Sequence, residues 1–171
     1  MELWDIYDCN REKTGETMKR GSRSQKNKRH LVVNICIFNS ENKMLIQKRN
    51  DDKEVWPSLW QVTASGSAIA GETSQQAAQR ELLEEVGVDY DFKNIVPKVS
   101  MASPTSFRDF YIIHKDVDMN ELKLQEEEVS QVKWADEKEI LDMLHSKTFV
   151  PNYESFISLL FEIGIQTGSS K

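Results

Sequence analysis

Residues 66–88, GSAIAGETSQQAAQRELLEEVGV, decide how the rest of the chain is read. The stretch opens on Gly66, places Glu72 six positions later, and closes with Arg80, Glu81, Glu84, Glu85 and Gly87 in a tight block. Thr73-Ser74-Gln75-Gln76 has the spacing of a capping box, in which hydroxyl and amide each satisfy the other residue's backbone N–H. Good helix formers follow, and Gly87 stands where a left-handed residue would end a helix. The spacing therefore predicts a helix over 74–86. At about 100° per residue, Ala78, Leu82 and Val86 fall on one stripe. Glu81, Glu84 and Glu85 share a neighbouring arc about 100° wide. One face is expected to pack while the next presents three carboxylates.

Three clustered carboxylates repel one another, and a like-charged i,i+4 pair such as Glu81 and Glu85 costs roughly 0.2–0.5 kcal/mol on a helix. A divalent cation would offset that cost. Hard cations such as Mg²⁺ take oxygen ligands and keep several waters, so they suit a few carboxylates plus substrate phosphates. A lone Glu-Glu pair is ordinarily a solvated helix face; the spacing around this one sets it apart. In template form the stretch is G-x5-E-x7-R-E-L-x-E-E-x-G-V, with every fixed position filled. It resembles the signature of the Nudix hydrolase family.

The remaining composition bounds the function. A chain of 171 residues suits one domain with a real core. With 39% hydrophobic and 29% charged residues it reads as an ordinary globular protein. The net charge of −6 argues against general nucleic-acid affinity. Cys9 and Cys36 are too few for a disulfide framework or a thiolate metal site, and are expected to be free thiols in a reducing cytosol. No apolar run is long enough to span a membrane. The opening MELWDIYDCN carries acids and no apolar centre, unlike a signal peptide. A cytoplasmic protein with neither nucleic-acid nor membrane partner is expected.

Along the chain, residues 2–9 and 15–19 flank a polar turn and read as an N-terminal β-hairpin. Such a ribbon could build a homodimer or cover a sheet edge. Residues 19–30, KRGSRSQKNKRH, hold six Lys/Arg and no acid. They read as a solvated connector, with retention of an anionic substrate as the alternative. LVVNICIF at 31–38 predicts a strand buried on both sides, returning as MLIQKRN at 44–50 in a hairpin. Trp56, Pro57 and Trp60 in the following loop are expected to form a packed corner. A strand at 59–65 should deliver the chain to Gly66, where the backbone must turn sharply or approach something closely. Short strands are expected near 94–101 and 107–117, and another ending near Trp134. ADEKEILDMLHSK predicts an amphipathic helix with Ile140, Leu141 and Leu144 inward. Pro151 fits the first turn of a last helix, NYESFISLLFEIG, with Phe156, Ile157, Leu160 and Phe161 on its apolar side. Residues 164–171 are expected to be a flexible tail. This order makes an α/β layered domain.

The resemblance implies more, and it covers about residues 30–150. It implies a single Nudix domain over 1–171, with 1–30 as ribbon and basic loop and 66–88 as the motif. The implied fold is a mixed β-sheet sandwiched between α-helices (α/β/α). It implies that Glu81, Glu84 and Glu85 bind Mg²⁺ or Mn²⁺, joined by the backbone carbonyl of Ser65. Glu72 and Arg80 are implied to pair and brace the loop against the helix. The implied reaction is hydrolysis of a diphosphate linkage in a small molecule, a nucleoside diphosphate joined to a moiety X. Water attacks a phosphorus while metal neutralises the phosphoryl oxygens. The general base varies in the family: Glu81 or a later acid serves. Glu127 and Glu128, in the acidic run before the Trp134 strand, are the favoured later acids, and Asp109 is a third. Arg49, Trp60 and the 101–108 loop are candidate substrate contacts.

Residues 30–66, with the WDIYD hairpin ahead of them, also resemble the branch that includes isopentenyl-diphosphate isomerase. That enzyme uses a cysteine where this chain has Ser65 and a histidine where it has Ser67. A hydroxyl is a poor substitute for a thiol as acid or base, because their pKa values differ by several units. His30 alone matches one of the isomerase's histidine metal ligands. The isomerase usually has a degraded motif, whereas this one is intact, so hydrolysis is the expected activity and isomerisation the first alternative. A non-catalytic nucleotide-binding module is the second. Such modules usually lose motif carboxylates, and this chain keeps all of them.

Overall fold

In the computed structural model, which describes residues 2–22 and 28–168, the chain begins with β1 (Leu3–Tyr7), β2 (Lys13–Lys19), β3 (His30–Phe38) and β4 (Met44–Arg49). It continues with β5 (Trp60–Gln61), β6 (Ala64–Ser67), α1 (Ser74–Val86), β7 (Val99–Ala102), β8 (Ser106–His114) and β9 (Val129–Ala135). It closes with α2 (Glu137–His145) and α3 (Glu154–Gly168). Among the described residues, no helix is long and apolar enough to cross a membrane.

The apolar run that forms β3 is buried on both faces from Ile35 to Phe38, while Val32 and Asn34 on one face of its first half are only half-buried. Leu31, Val33, Ile35 and Ile37 join one core with Ala77, Ala78, Leu82 and Val86 of α1. Cys36 and Phe38 join a second core with Ile140 of α2 and Ile157, Leu160 and Phe161 of α3. Helices therefore cover both sides of the sheet. Full burial of each such Leu, Ile or Phe contributes about 1.5–3 kcal/mol, so β3 is the strand on which both layers depend.

The main sheet is mixed. β3 lies parallel to β8, in register from His30↔Ser106 to Phe38↔His114, and antiparallel to β6. The order is β5-β4-β3-β8-β7, with β9 on β4. The expected β3–β4 hairpin is paired at its tight end, Phe38↔Met44. Beyond that point Thr63 enters between the strands. Its hydroxyl accepts from the Ile37 N–H at 2.9 Å and donates to the Leu45 carbonyl at 2.5 Å. The single strand expected at 59–65 is consequently two. β5 pairs with β4, the chain crosses at Val62-Thr63, and β6 pairs with β3. This crossing brings Ser65 and Gly66 to α1.

Helix α1 is capped as the sequence predicts. The Gln76 N–H donates to the Thr73 hydroxyl at 3.2 Å, and the Thr73 N–H donates to the Gln76 side chain at 2.9 Å. Such a cap is worth about 1 kcal/mol. Gly87 takes φ 74°, and its N–H closes on the Leu83 carbonyl at 3.0 Å.

β1 and β2 form a separate two-stranded antiparallel sheet docked onto this body. Backbone bonds join Tyr7 to Arg29 and the Ala70 N–H to the Leu3 carbonyl. At the hairpin turn, Arg11 is ion-paired to Asp109 and lies over the Phe107 ring.

Several expected boundaries move. β7 starts at Val99, and β8 ends at His114. Trp60 packs at the second core, but Trp56 is 41% exposed at φ 50°, so the two do not form one packed corner. In α2, Ile140 is buried while Leu141 and Leu144 pack at the core's edge. α3 begins at Glu154, leaving Pro151 ahead of it. It also runs to Gly168, past the residue where the tail was expected to begin. In that extension Gly164 and Gly168 let the helix lie close against the Phe38 and His114 rings. Residues 23–27 of the basic run and 169–171 of the tail lie outside the described residues.

Burial pushes the Cys36 thiol up to about 12, whereas Cys9 is exposed. Iodoacetamide at pH 8 should therefore label Cys9 in the native protein and Cys36 only after urea unfolding, read by mass spectrometry. Native labelling of both would mean that β3 opens.

Candidate active site

The motif carboxylates are not equivalent. Glu85 is 4% exposed, because the crossing that delivers β6 places the Ser65 N–H beneath it. It accepts that N–H at 3.0 Å and the Gln47 side-chain amide at 2.5 Å. Burial, reinforced by the charge of Glu81, pushes its carboxyl up to about 8 against those two donors. Glu81 is also raised by burial, although Arg80 pulls the other way. Glu84 stands at the rim, its side chain 51% exposed. The expected arc of three presented carboxylates is thus a gradient from solvent to interior. Helical spacing fixes the angle of each residue, but β6 decides which angle is covered.

Gly66 is explained by close approach rather than by a turn. A Cβ built there would fall within the Glu81 carboxylate. Glu72 and Arg80 pair as expected. Arg80 Nε and Nη2 donate to the two Glu72 oxygens at 2.7 and 3.0 Å, a bidentate fork. Glu72 also accepts the Ile69 N–H at 2.8 Å, so the pair ties the loop to the helix. Hydrogen bonding to Glu72 holds the Arg80 guanidinium firmly protonated. Arg80 Nη1 reaches Glu81 at 2.8 Å and Glu84 at 3.0 Å.

Among the described residues, no three His, Cys, Asp or Glu side chains already converge as a metal cluster; Arg80 and Gln47 set the present rotamers. The donor chemistry nevertheless fits a hard cation. Glu81 and Glu85 are both penalised by desolvation and by neighbouring carboxylates, Glu84 and Glu2 at Glu81 and Glu81 and Glu128 at Glu85, and a divalent ion would relieve both costs.

A cavity of about 920 Å³ opens over these acids. Ser65, Arg49, Glu127 and Glu128 line it as well, which brings most of the sequence-derived candidates together. Glu128 is ion-paired to Lys53. Three candidates fall elsewhere: Trp60, Asp109 and the 101–108 loop, none of whose residues lines the cavity. Trp60 does not line the cavity; it bridges to Phe149 beside the second core, with Lys133 over its ring. Asp109 is fully buried and accepts from the Ser74 and Ser100 hydroxyls as well as from Arg11. It is a structural junction between β8, β7, the start of α1 and the hairpin turn. His30 is stacked on Trp4, and burial lowers its pKa.

Sequence reasoning missed Gln47, Lys53 and the hairpin residues Glu2, Trp4 and Arg20, the last four of which line the cavity. Arg20 belongs to the basic run, which was the one available signal. The others reach the site through long-range packing.

Comparison with known proteins places this geometry. The NUDIX domain model matches residues 28–160. An uncharacterised Nudix hydrolase of Listeria innocua is 43% identical over 163 residues, 95% of each chain. An isopentenyl-diphosphate Δ-isomerase of Corynebacterium diphtheriae is 25% identical over 129 residues, 70% of each chain. A crystal structure from Deinococcus radiodurans superposes with a TM-score of 0.77 at 23% identity, covering 93% of this chain and 97% of that one. That last likeness is one of fold.

Two substitutions separate framework from site. Asp109→Ala should lower the urea unfolding free energy by about 2–4 kcal/mol, since it leaves two hydroxyls and an arginine without their acceptor; a change within 0.5 kcal/mol would remove the junction role. Gly66→Ala should stay folded by circular dichroism while a crystal structure shows the Glu81 carboxylate displaced; an unmoved Glu81 would refute the close-approach explanation.

Proposed function

The chain belongs to the Nudix hydrolase family, and from that premise we propose that it hydrolyses a diphosphate linkage in a nucleoside di- or triphosphate or a related nucleoside diphosphate derivative. The observation carrying this reading is the set Glu81, Glu84 and Glu85, intact and lining one open cavity, with Glu81 close against Gly66 and Glu84 at the rim. Glu85, Glu81, Glu84 and the Ser65 carbonyl are the groups that would hold Mg²⁺ or Mn²⁺. When bound, the metal would neutralise the phosphoryl oxygens and lower the pKa of the attacking water.

The chain's own residues supply the rest. Glu72 and Arg80 keep the motif loop in place over the helix. Arg49 lines the cavity, where a guanidinium can meet a phosphate. For water activation, the ion pair between Glu128 and Lys53 favours Glu127 over Glu128, with Glu81 as the motif alternative. Isomerisation is the weaker reading. Ser65 Oγ is spent on Asn34 at 3.0 Å, and Ser65 and Ser67 supply neither thiol nor imidazole.

A screen of nucleoside di- and triphosphates with Mg²⁺ and with Mn²⁺ should release phosphate-containing products, and a chelator should abolish that release. Glu84→Gln and Glu85→Gln should each cut turnover by at least about 100-fold in folded protein, as expected for loss of a metal ligand. Glu72→Ala should lose less than Glu85→Ala, because its role is bracing. Full turnover in a folded Glu85→Gln protein would remove the assignment, and binding without product release would favour a non-catalytic module.

A further inference from the structure

The matched family model begins at residue 28, yet the hairpin residues Glu2, Trp4, Arg20 and Gly21 line the same cavity as Glu81 and Glu85. Most of the other lining residues are charged or polar. Among the described lining residues, Val55 and Ile69 are the apolar aliphatics and Trp4 is the only aromatic. A planar ring entering this space therefore has one aromatic surface to lie against.

Trp4 is already fixed for that task. Its indole Nε1–H donates to Glu2 Oε1 at 2.9 Å. The His30 ring stacks on it, with centroids 4.3 Å apart and planes inclined by 16°. The hydrogen bond sets the rotation of the indole, and the stack supports one face. What the ring offers the cavity is apolar and π-rich, since its only polar donor is committed. Beside it, Arg20 is ion-paired to Glu2 at 3.0 Å and 59% exposed, a cation held next to the aromatic surface. Stacking on such a ring tolerates any base, because every base has a π-face. A ring held in place beforehand loses little freedom when a ligand arrives.

We propose that Trp4 is the platform on which the nucleobase of a nucleoside diphosphate substrate stacks, with Arg20 alongside for the substrate's anionic portion. The N-terminal hairpin is then a specificity wall of the active site. This rests on the diphosphate-hydrolase reading for the reaction and adds the residue that receives the base.

The test pairs ADP with isopentenyl diphosphate, which has no ring, in the Mg²⁺-loaded full chain. Trp4→Leu should raise KM for ADP about tenfold with kcat within about threefold, and should lower the ADP-to-isopentenyl preference by about tenfold. Trp4→Phe should recover most of that loss. Separately, α,β-methylene-ADP should quench tryptophan fluorescence saturably in the native protein, and Trp4→Phe should lose that quenching. The quench does not require turnover, so its persistence in a protein that cleaves nothing would sink the hydrolase reading and keep the platform. An unchanged KM for ADP in both variants, or equal losses on the two substrates, would overturn the platform while hydrolysis stands. Cleavage of ring-free diphosphates with no binding of the adenosine probe would overturn it too.

Discussion

A carboxylate held in the protein interior is the constraint on which this structure turns. Burying an ionised side chain costs several kcal/mol unless neighbouring groups offset it. At Glu85 the offset comes from one backbone N–H and one side-chain amide, and it is incomplete, since the carboxyl is still pushed up to about 8. The apolar stripe Ala77, Ala78, Leu82 and Val86 presses α1 onto β3 and keeps the acid there regardless. Stability from the core is thus spent to keep a carboxyl where its ionised form is disfavoured, which is how a protein can make a cation welcome.

Local chemistry in the motif was readable because it acts over a few residues. The Thr73 box, the Gly87 stop and the buried stripe all follow from spacing along one helix, whereas the Glu72–Arg80 fork was legible only through the family resemblance. The apolar run 31–38 announced a doubly buried strand for the same reason. What escaped depends on partners distant in sequence. Nothing near Trp60 says that it will face Phe149 rather than the cavity. Nothing near Asp109 says that Arg11, nearly a hundred residues earlier, will neutralise it. The unequal burial of the three glutamates is set by β6, whose path is fixed by a strand crossing that hydrophobic patterning cannot express.

The hairpin shows how such distant contacts combine. Its turn is secured by Arg11 on Asp109, and Asp109 also accepts from Ser74 in the first turn of α1. Its opposite end carries Trp4 and Arg20 at the cavity. One buried carboxylate therefore sets both the seat of the ribbon and the start of the motif helix. Displacement of either element would be felt by the other, and through them by both sides of the site.

Thr63 carries a quieter consequence. One hydroxyl answers the amide of Ile37 and the carbonyl of Leu45 at the fork where two strands part company. A valine there would keep the shape and strand both groups in a dry crevice. Only residues bearing a short alcohol can occupy that position cheaply, and if the two halves of the sheet ever breathe apart, deuterium should enter first at the Ile37 amide.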